Sequence, residues 1–404
     1  MPERQLSTSP LTASLLTPPG RGAVAVIRVH TADSDSSVSN QAVAAVESCF
    51  VSISGTSLSE QPVGRLCYGH WVSSFSSEDV VVCRTDEASV EVSCHGGRAA
   101  VNRVLDSLCS AGASTVDWQT QQATIDSAFE SELTNAVSQA TTARTAALLL
   151  GQASGTLRAS LSQMLQLDSE ELTSRLSEML AWSQFGLHLT QPWKIVLAGR
   201  PNVGKSTLIN ALLGYTRAVV YDQPGTTRDV VTGQTAFDGW PFQLADTAGI
   251  RNTKDELEQA GIERARRTVE SADLVCVLLD TSHPPTAEDQ ELLTELASPP
   301  AENRPPAIVI AHKVDQPDQW ADAMPDNAVH VSSTTGTGIE EFIHRIVQTL
   351  IPTVPSPETA IPISRRQINW LNEAHRAAQK SDLEFATHCI QSCLSGVAFS
   401  EQRS

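Results

Sequence analysis

Residues 199–206 read Gly-Arg-Pro-Asn-Val-Gly-Lys-Ser, an instance of the phosphate-binding pattern GxxxxGK[ST]. The apolar run 195–198 (IVLA) before it has the length of a buried parallel strand, and residues 207–213 after it have helical character. The strand, loop and helix that this pattern requires are therefore all present. Gly199 and Gly204 let the backbone curl, so that N–H groups, that of Val203 among them, point at a β-phosphate. Lys205 can reach the β- and γ-phosphates, Ser206 can give its hydroxyl to Mg²⁺, and Thr207 follows in the first helical turn. A nucleoside triphosphate with Mg²⁺ is the expected ligand.

The base is read further along. The apolar run 307–311 predicts another buried strand and is followed by His312-Lys313-Val314-Asp315, close to the NKxD element of GTP-binding proteins. The Asp315 carboxylate can accept from both N1–H and the N2 amine of guanine, a pair of donors that adenine lacks, so GTP is the expected nucleotide. His312 stands where the pattern has Asn, which predicts a weaker tie between this loop and the phosphate loop. Ser333, in the Val331-Ser332-Ser333-Thr334 segment, falls where a further base-contacting loop would lie.

Between these ends lie the candidates that would sense and cleave the γ-phosphate. Asp246-Thr247-Ala248-Gly249 closes an expected strand, with Asp246 placed for the Mg²⁺ shell and the Gly249 N–H for the γ-phosphate. Gly225-Thr226-Thr227-Arg228-Asp229 reads as a first switch in which Thr227 completes the Mg²⁺ sphere. Ile250 follows where many GTPases carry a water-orienting Gln, and an alkyl side chain cannot do that work.

These motifs, with Asp-Glu-Leu-Glu-Gln-Ala-Gly-Ile-Glu-Arg-Ala at 255–265, resemble the MnmE or TrmE family of tRNA-modification GTPases. The resemblance implies that Asn202 helps bind K⁺ where other GTPases use an arginine finger, with Thr226 and carbonyls near Tyr221 and Gln223 completing the cage. It also implies that Glu258 positions the attacking water indirectly. Taken from the residues alone, Asn202 could instead brace its loop by local hydrogen bonds, and Glu258 could be a solvated helix residue. The resemblance extends to the segment 17–29 (TPPGRGAVAVIRV) and to Glu91-Val92-Ser93-Cys94-His95-Gly96-Gly97. There it implies a constitutive dimer and a one-carbon tetrahydrofolate contacted by Arg28 and Glu91; His95 reads more simply as a turn residue. The implied partners are a second copy of the chain, tRNA and the flavoprotein called MnmG or GidA, which carries FAD.

Two departures accompany the resemblance. The family carries a Cys-x-Gly-Lys tail, whereas the sequence here closes Phe399-Ser400-Glu401-Gln402-Arg403-Ser404, and residues 131–144 hold no Lys where the family places one near its folate. They set an alternative expectation beside wobble-uridine modification at tRNA position 34: a GTP-dependent switch in RNA or ribosome assembly. Cys389 and Cys393 are spaced i,i+4, but Ala386, Ile390 and Leu394 around them favour a packed helix over a thiol site.

The fold expected is α/β: a P-loop GTPase domain with a doubly wound, mostly parallel sheet, inserted in an α-helical domain and preceded by an α+β domain. The expected boundaries are 1–126 for the α+β domain, with one helix near 99–111, and 127–190 for the first helical part. The GTPase domain takes 191–352, and 353–404 holds a linker and the second helical part, in which a helix with Ile368, Leu371, Ala374 and Ala378 returns to the earlier helices. Across 404 residues no apolar run reaches spanning length and the start lacks a secretory pattern, so a soluble cytoplasmic protein without membrane contact is expected. Eight scattered cysteines suit a reducing compartment. A net charge of −18 argues against broad electrostatic attraction to nucleic acid, so tRNA contact should be local.

Overall fold

The computed structural model describes residues 11–18, 20, 22–32, 41–73, 76–215, 232–246, 271–296, 304–320 and 323–399. The chain divides into two compact units, residues 1–132 and 133–404.

The first unit is a seven-stranded sheet. In chain order its strands are β1 (Leu11–Leu15), β2 (Val24–Thr31), β3 (Phe50–Ser52), β4 (Leu66–Ser73), β5 (Ser76–Arg84), β6 (Ser89–His95) and β7 (Ser114–Thr115), arranged β3-β4-β5-β6-β2-β1-β7. Only the β1/β7 pair is parallel. Alternation sets the core face: Ala25, Ile27 and Val29 of β2 are buried, with Val90 and Val92 of β6, while Val26 and Arg28 point to the opposite side. Helices α1 (Gln41–Glu47) and α2 (Arg98–Ser110) pack on the apolar face through Val43, Val46, Val104 and Leu108, and α3 (Trp118–Ile125) lies along β1. The sequence led us to expect one helix here. Helices α1 and α3 run only 7 and 8 residues, too short for a 3.6-residue period to stand out.

The second unit joins helices to a six-stranded sheet. Helix α4 (Ala128–Gln139) runs across the division at residues 132 and 133, and α5 (Ala143–Ala153), α6 (Thr156–Met164), α7 (Ser169–Leu180) and α8 (Ser183–Leu187) follow. The sheet has strands β8 (Trp193–Ala198), β9 (Thr232–Phe237), β10 (Trp240–Asp246), β11 (Leu274–Asp280), β12 (Ala307–His312) and β13 (Val329–Val331), in the order β13-β12-β11-β8-β10-β9. Every pair is parallel except β9/β10. All seven residues of β11 are buried, as a strand covered on both faces demands. Helices α9 (Lys205–Tyr215), α10 (Ala287–Leu296) and α11 (Ile339–Leu350) complete the α/β alternation.

Strand β9 was not expected from the sequence, although it carries a readable signal. Asp238 and Gly239 both have positive φ, 48° and 75°, and form the two-residue hairpin turn for which Asp-Gly is a favoured pair. Helix α5 grips that turn. Arg144 Nη1 donates to the Asp238 carbonyl and carboxylate, both at 2.7 Å, and its guanidinium lies 4.4 Å from the Trp240 ring centre. Trp240 in turn meets Phe185 of α8 edge-on at 5.3 Å.

Beyond the sheet the chain returns to the earlier helices as α12 (Arg365–Gln379) and α13 (Leu383–Leu394), divided at Ser381 with φ 60°. Ser169 Oγ donates to the Ala378 carbonyl, and the fully buried Gln152 bonds both Thr359 O and Ile361 N. Cys389 and Cys393 are buried in α13 packing, and burial pushes the Cys389 thiol up to about 11. No described helix is long and apolar enough to cross a membrane.

The return path leaves no room at α8. A Cβ on Gly186 would lie 2.0 Å from the Pro362 carbonyl oxygen, a backbone atom that cannot swing aside. Gly186→Ala is therefore expected to destabilise the second unit by about 2–3 kcal/mol, the upper part of the overpacking range. Urea denaturation followed by Trp fluorescence checks this, and an unchanged midpoint would refute the close approach.

Candidate nucleotide-binding site

The site forms at the C-terminal ends of the parallel strands β8, β11 and β12, where ligands of open α/β sheets bind. The loop between β8 and α9 turns through Asn202, at φ 63°, and Gly204, at φ 101°. Gly204 meets two demands: its φ is disfavoured for L side chains, and a Cβ there would sit 2.5 Å from His312 Cε1. Lys205 opens α9, is buried, and donates from Nζ to the Gly199 and Arg200 carbonyls at 2.8 Å each. A flexible ammonium curled over the loop's own carbonyls sits where an incoming phosphate can recruit it. Ser206 and Thr207 are exposed at the helix start. The Ser206 hydroxyl donates to Asp246 Oδ2 at 2.7 Å, so α9 and β10 place two oxygen ligands together, the hard donors that Mg²⁺ takes. Both residues fit the metal that a GTPase uses to neutralise phosphate charge.

His312 ends β12 and is almost wholly buried. Its Nδ1 lies 2.8 Å from the Val203 carbonyl, which can only accept, so this nitrogen carries the proton. Burial holds the imidazole below its ordinary 6.5, against the pull of the Val203 carbonyl and helped by the Lys313 ammonium. The neutral ring leaves Nε2 as an acceptor for the Ser333 hydroxyl at 2.7 Å. The sequence led us to expect that His in place of Asn would loosen the base loop from the phosphate loop. The structure corrects this: His312 makes that tie and extends it to Ser333.

Lys313 follows with φ 67°, which turns its side chain back across the site. Its Nζ binds Asp280 Oδ2 at 2.6 Å and the Asn202 carbonyl at 3.3 Å. Burial alone would raise the Asp280 carboxyl, but the Lys313 ammonium and the hydroxyl and N–H of Ser282 outweigh it and hold the group below its ordinary value. Asp315 is exposed and receives the hydroxyl of buried Ser332 on Oδ1 at 2.5 Å, which fixes the carboxylate while leaving it open to a base. Asn202 is exposed, and its side chain makes no hydrogen bond among the described residues.

Gly199, Asn202, Val203, Gly204, Lys205, Ser206, Thr207, Asp246, Lys313, Asp315 and Ser333 thus belong to one constellation. Thr226, Thr227, Gly249 and Glu258 lie outside the described residues. Arg28 and Glu91 belong to the first unit, opposite each other in the β2/β6 register. Arg28 Nε and Nη2 reach Glu91 Oε1 at 3.3 and 3.2 Å, and Nη1 reaches Gln122 Oε1 at 2.7 Å.

Several residues of the nucleotide site escaped the sequence reading. Asp280 is one, although an acid at the end of an all-apolar run marks the strand end where ligand crevices open. Arg200 and Asp289 are others. Arg200 Nε pairs with fully buried Asp289 at 2.7 Å, and Asp289 also accepts from the N–H and hydroxyl of Thr286, at 3.0 and 2.8 Å. Thr286-Ala287-Glu288-Asp289 is a capping box at the start of α10, readable as such in the sequence.

Known proteins resemble this chain over most of its length. The family described as 50S ribosome-binding GTPase matches residues 194–313. The tRNA modification GTPase MnmE of Lactiplantibacillus plantarum is 30% identical over 420 residues, covering 91% of this chain and 87% of that protein. The chain belongs to the tRNA modification GTPase MnmE family. The MnmE of Geobacillus kaustophilus is 33% identical over 76% of this chain and 73% of its own length. The crystal structure of the G domain of the T. maritima FeoB iron transporter is similar over 39% of this chain and 99% of that one, with 30% identity and a TM-score of 0.29. With the phosphate loop, the Ser206–Asp246 pair and Asp315 in one crevice, this member of the MnmE family is a GTP hydrolase.

The lowered His312 value gives a pH dependence. Above the ordinary 6.5 the imidazole is neutral folded or unfolded, and the stabilisation is complete; as pH falls below 6.5 the unfolded chain takes up the proton first, so stability drops until the folded value is passed. The melting temperature should therefore fall between pH 7 and 5 less steeply for His312→Asn than for the unaltered protein. Parallel slopes in thermal melts across that range would count against the buried neutral imidazole.

Proposed function

We propose that this GTPase is stimulated by K⁺ and serves modification of the wobble uridine of certain tRNAs, acting as a homodimer with a flavoprotein of the MnmG or GidA type. The observation that carries the cation is Asn202: left-handed, exposed, and without a side-chain hydrogen bond among the described residues. A residue that braced its own loop would spend its amide on that loop, whereas this amide is at hand for a ligand. Phosphoryl transfer needs positive charge near the β,γ-bridge more than a strong base, and a monovalent cation beside Asn202 and Thr226 supplies it. Glu258 then positions the attacking water. Membership in the MnmE family supports the tRNA assignment, and a one-carbon tetrahydrofolate fits the first unit's polar pair. Glu91 Oε2 takes no hydrogen bond among the described residues, leaving an acceptor for the ring N–H groups of a pterin beside the Arg28 guanidinium. The division we favour keeps residues 191–352 as the nucleotide-driven body, inserted between helical parts 127–190 and 353–404, with 1–126 as the folate domain.

A second reading is a GTP-dependent switch in RNA or ribosome assembly. Two observations favour it: the 50S ribosome-binding GTPase family matches residues 194–313, and residues 131–144 contain no Lys.

Phosphate release should be faster in K⁺ than in Na⁺ by about tenfold or more, as the loss of one transition-state charge contact implies. Asn202→Ala should abolish the difference, and Glu258→Ala should slow turnover while GTP binding stays nearly unchanged. Equal rates of the unaltered protein in the two salts would remove the cation from the mechanism. Deleting the gene in its host and profiling tRNA nucleosides by mass spectrometry separates the two readings. Loss of a carbon-extended wobble uridine is expected, and an unchanged profile would favour the assembly switch.

A further inference from the structure

His312 differs from the Asn of the NKxD pattern in how many hydrogen bonds it can make, and the structure shows that it has none to spare. An Asn amide offers a carbonyl oxygen and two N–H donors. Tied to the Val203 carbonyl by one N–H and to the Ser333 hydroxyl through its oxygen, it would keep a second N–H for a ligand. An imidazole has two nitrogens only. In His312 both are engaged, Nδ1 on the Val203 carbonyl at 2.8 Å and Nε2 on Ser333 Oγ at 2.7 Å, within a ring that is 2% exposed. The ring lies close enough over the phosphate loop that a Cβ at position 204 would clash with its Cε1.

The position of the residue says which edge of the base goes unserved. Guanine carries its N1–H and N2 donors on the edge far from the sugar, where Asp315 is placed, and its N7 acceptor on the inner ring nearer the sugar and phosphates. Residue 312 stands three positions before Asp315 and is bonded to the phosphate loop, so it lies towards the N7 side. Lys313 next to it has its ammonium engaged by Asp280 and by the Asn202 carbonyl. We propose that His312 has no donor to offer guanine N7, so that the site selects its base through Asp315 on the N1 and N2 edge and accepts a 7-deazaguanine nucleotide as readily as GTP.

The inference concerns discrimination within the GTP site, and its test separates the two. Equilibrium binding of GTP, 7-deaza-GTP and ATP to the full chain would be measured by isothermal titration with Mg²⁺, for the unaltered protein and for His312→Asn. The expected ratio of the 7-deaza-GTP and GTP dissociation constants is within about twofold for the unaltered protein, and about fivefold or more against 7-deaza-GTP for His312→Asn, in keeping with one added hydrogen bond. A purely structural role for residue 312 would change both affinities together and leave the ratio alone. A ratio of about fivefold or more in the unaltered protein overturns the proposal without needing the variant to fold. So does a His312→Asn ratio that stays at the unaltered value. GTP binding no tighter than ATP binding would overturn the guanine reading itself, and this inference with it.

Discussion

The hydrogen bond from His312 to the Val203 carbonyl is the contact on which the nucleotide site depends. A phosphate loop has to present its N–H groups inward, which leaves its carbonyls turned away from the ligand and in need of partners. Lys205 satisfies those of Gly199 and Arg200, Lys313 that of Asn202, and His312 that of Val203. Only the last comes from a buried ring held rigidly at a strand end. The carbonyl of His312 is itself the acceptor for both the N–H and the hydroxyl of Thr281, each at 2.9 Å, so the ends of β11 and β12 are locked together behind the loop. Each such bond contributes about 1 kcal/mol net, yet leaving one of these buried groups unpaired costs about 1–3 kcal/mol, so the network resists partial loss.

Charge is arranged around this lock to keep the loop in place in the absence of phosphate. A phosphate site concentrates cations, and Arg200, Lys205 and Lys313 would repel one another without counter-groups. Asp289 takes Arg200 and Asp280 takes Lys313. Both carboxylates are nearly inaccessible, at 0% and 7% of side-chain exposure, so each bond is made in a medium where an unpaired charge would be expensive. Trp320 donates from Nε1 to the Asp280 carbonyl at 2.9 Å and closes the strand end beneath the pair. The fixed carboxylates thereby hold Arg200 and Lys313 in place beside the phosphate loop.

Residues whose effect is local were legible in the sequence, and residues whose effect depends on what folds beside them were not. The apolar runs at 195–198, 274–279 and 307–311 are strands because continuous burial in a parallel sheet leaves that composition. The phosphate loop is legible because its glycines are required by backbone geometry. His312 misled because the sequence shows only that it is not Asn. That its ring would stack against Gly204, lose its charge through burial and reach both Val203 and Ser333 follows from neighbours 109 and 21 residues away. Asp280 and Asp289 are ordinary acids until Lys313 and Arg200 arrive. The β9/β10 hairpin lies between these cases: its Asp-Gly turn is a local signal, but the grip of Arg144 on that turn comes from a helix 94 residues earlier.

That hairpin also limits how Asp246 can move. Strand β10 pairs with β8 from Phe242 to Asp246 and with β9 from Trp240 to Ala245, so sliding it by one residue would break both ladders and turn its buried side chains to the wrong face. Its other end is fixed by Arg144 against Asp238 and by Trp240 against Phe185. Asp246 is therefore the end of a strut whose far end sits on helices α5 and α8. Rotation of the Asp246 side chain, and tilting of the hairpin as a body against Arg144 and Phe185, are two ways of responding to a change in what Asp246 binds. The buried position of Asp246, 1% exposed and bonded to Ser206, leaves little space for the first. The second would bear on α5 and α8, the helices that Arg144 and Phe185 bring against the hairpin.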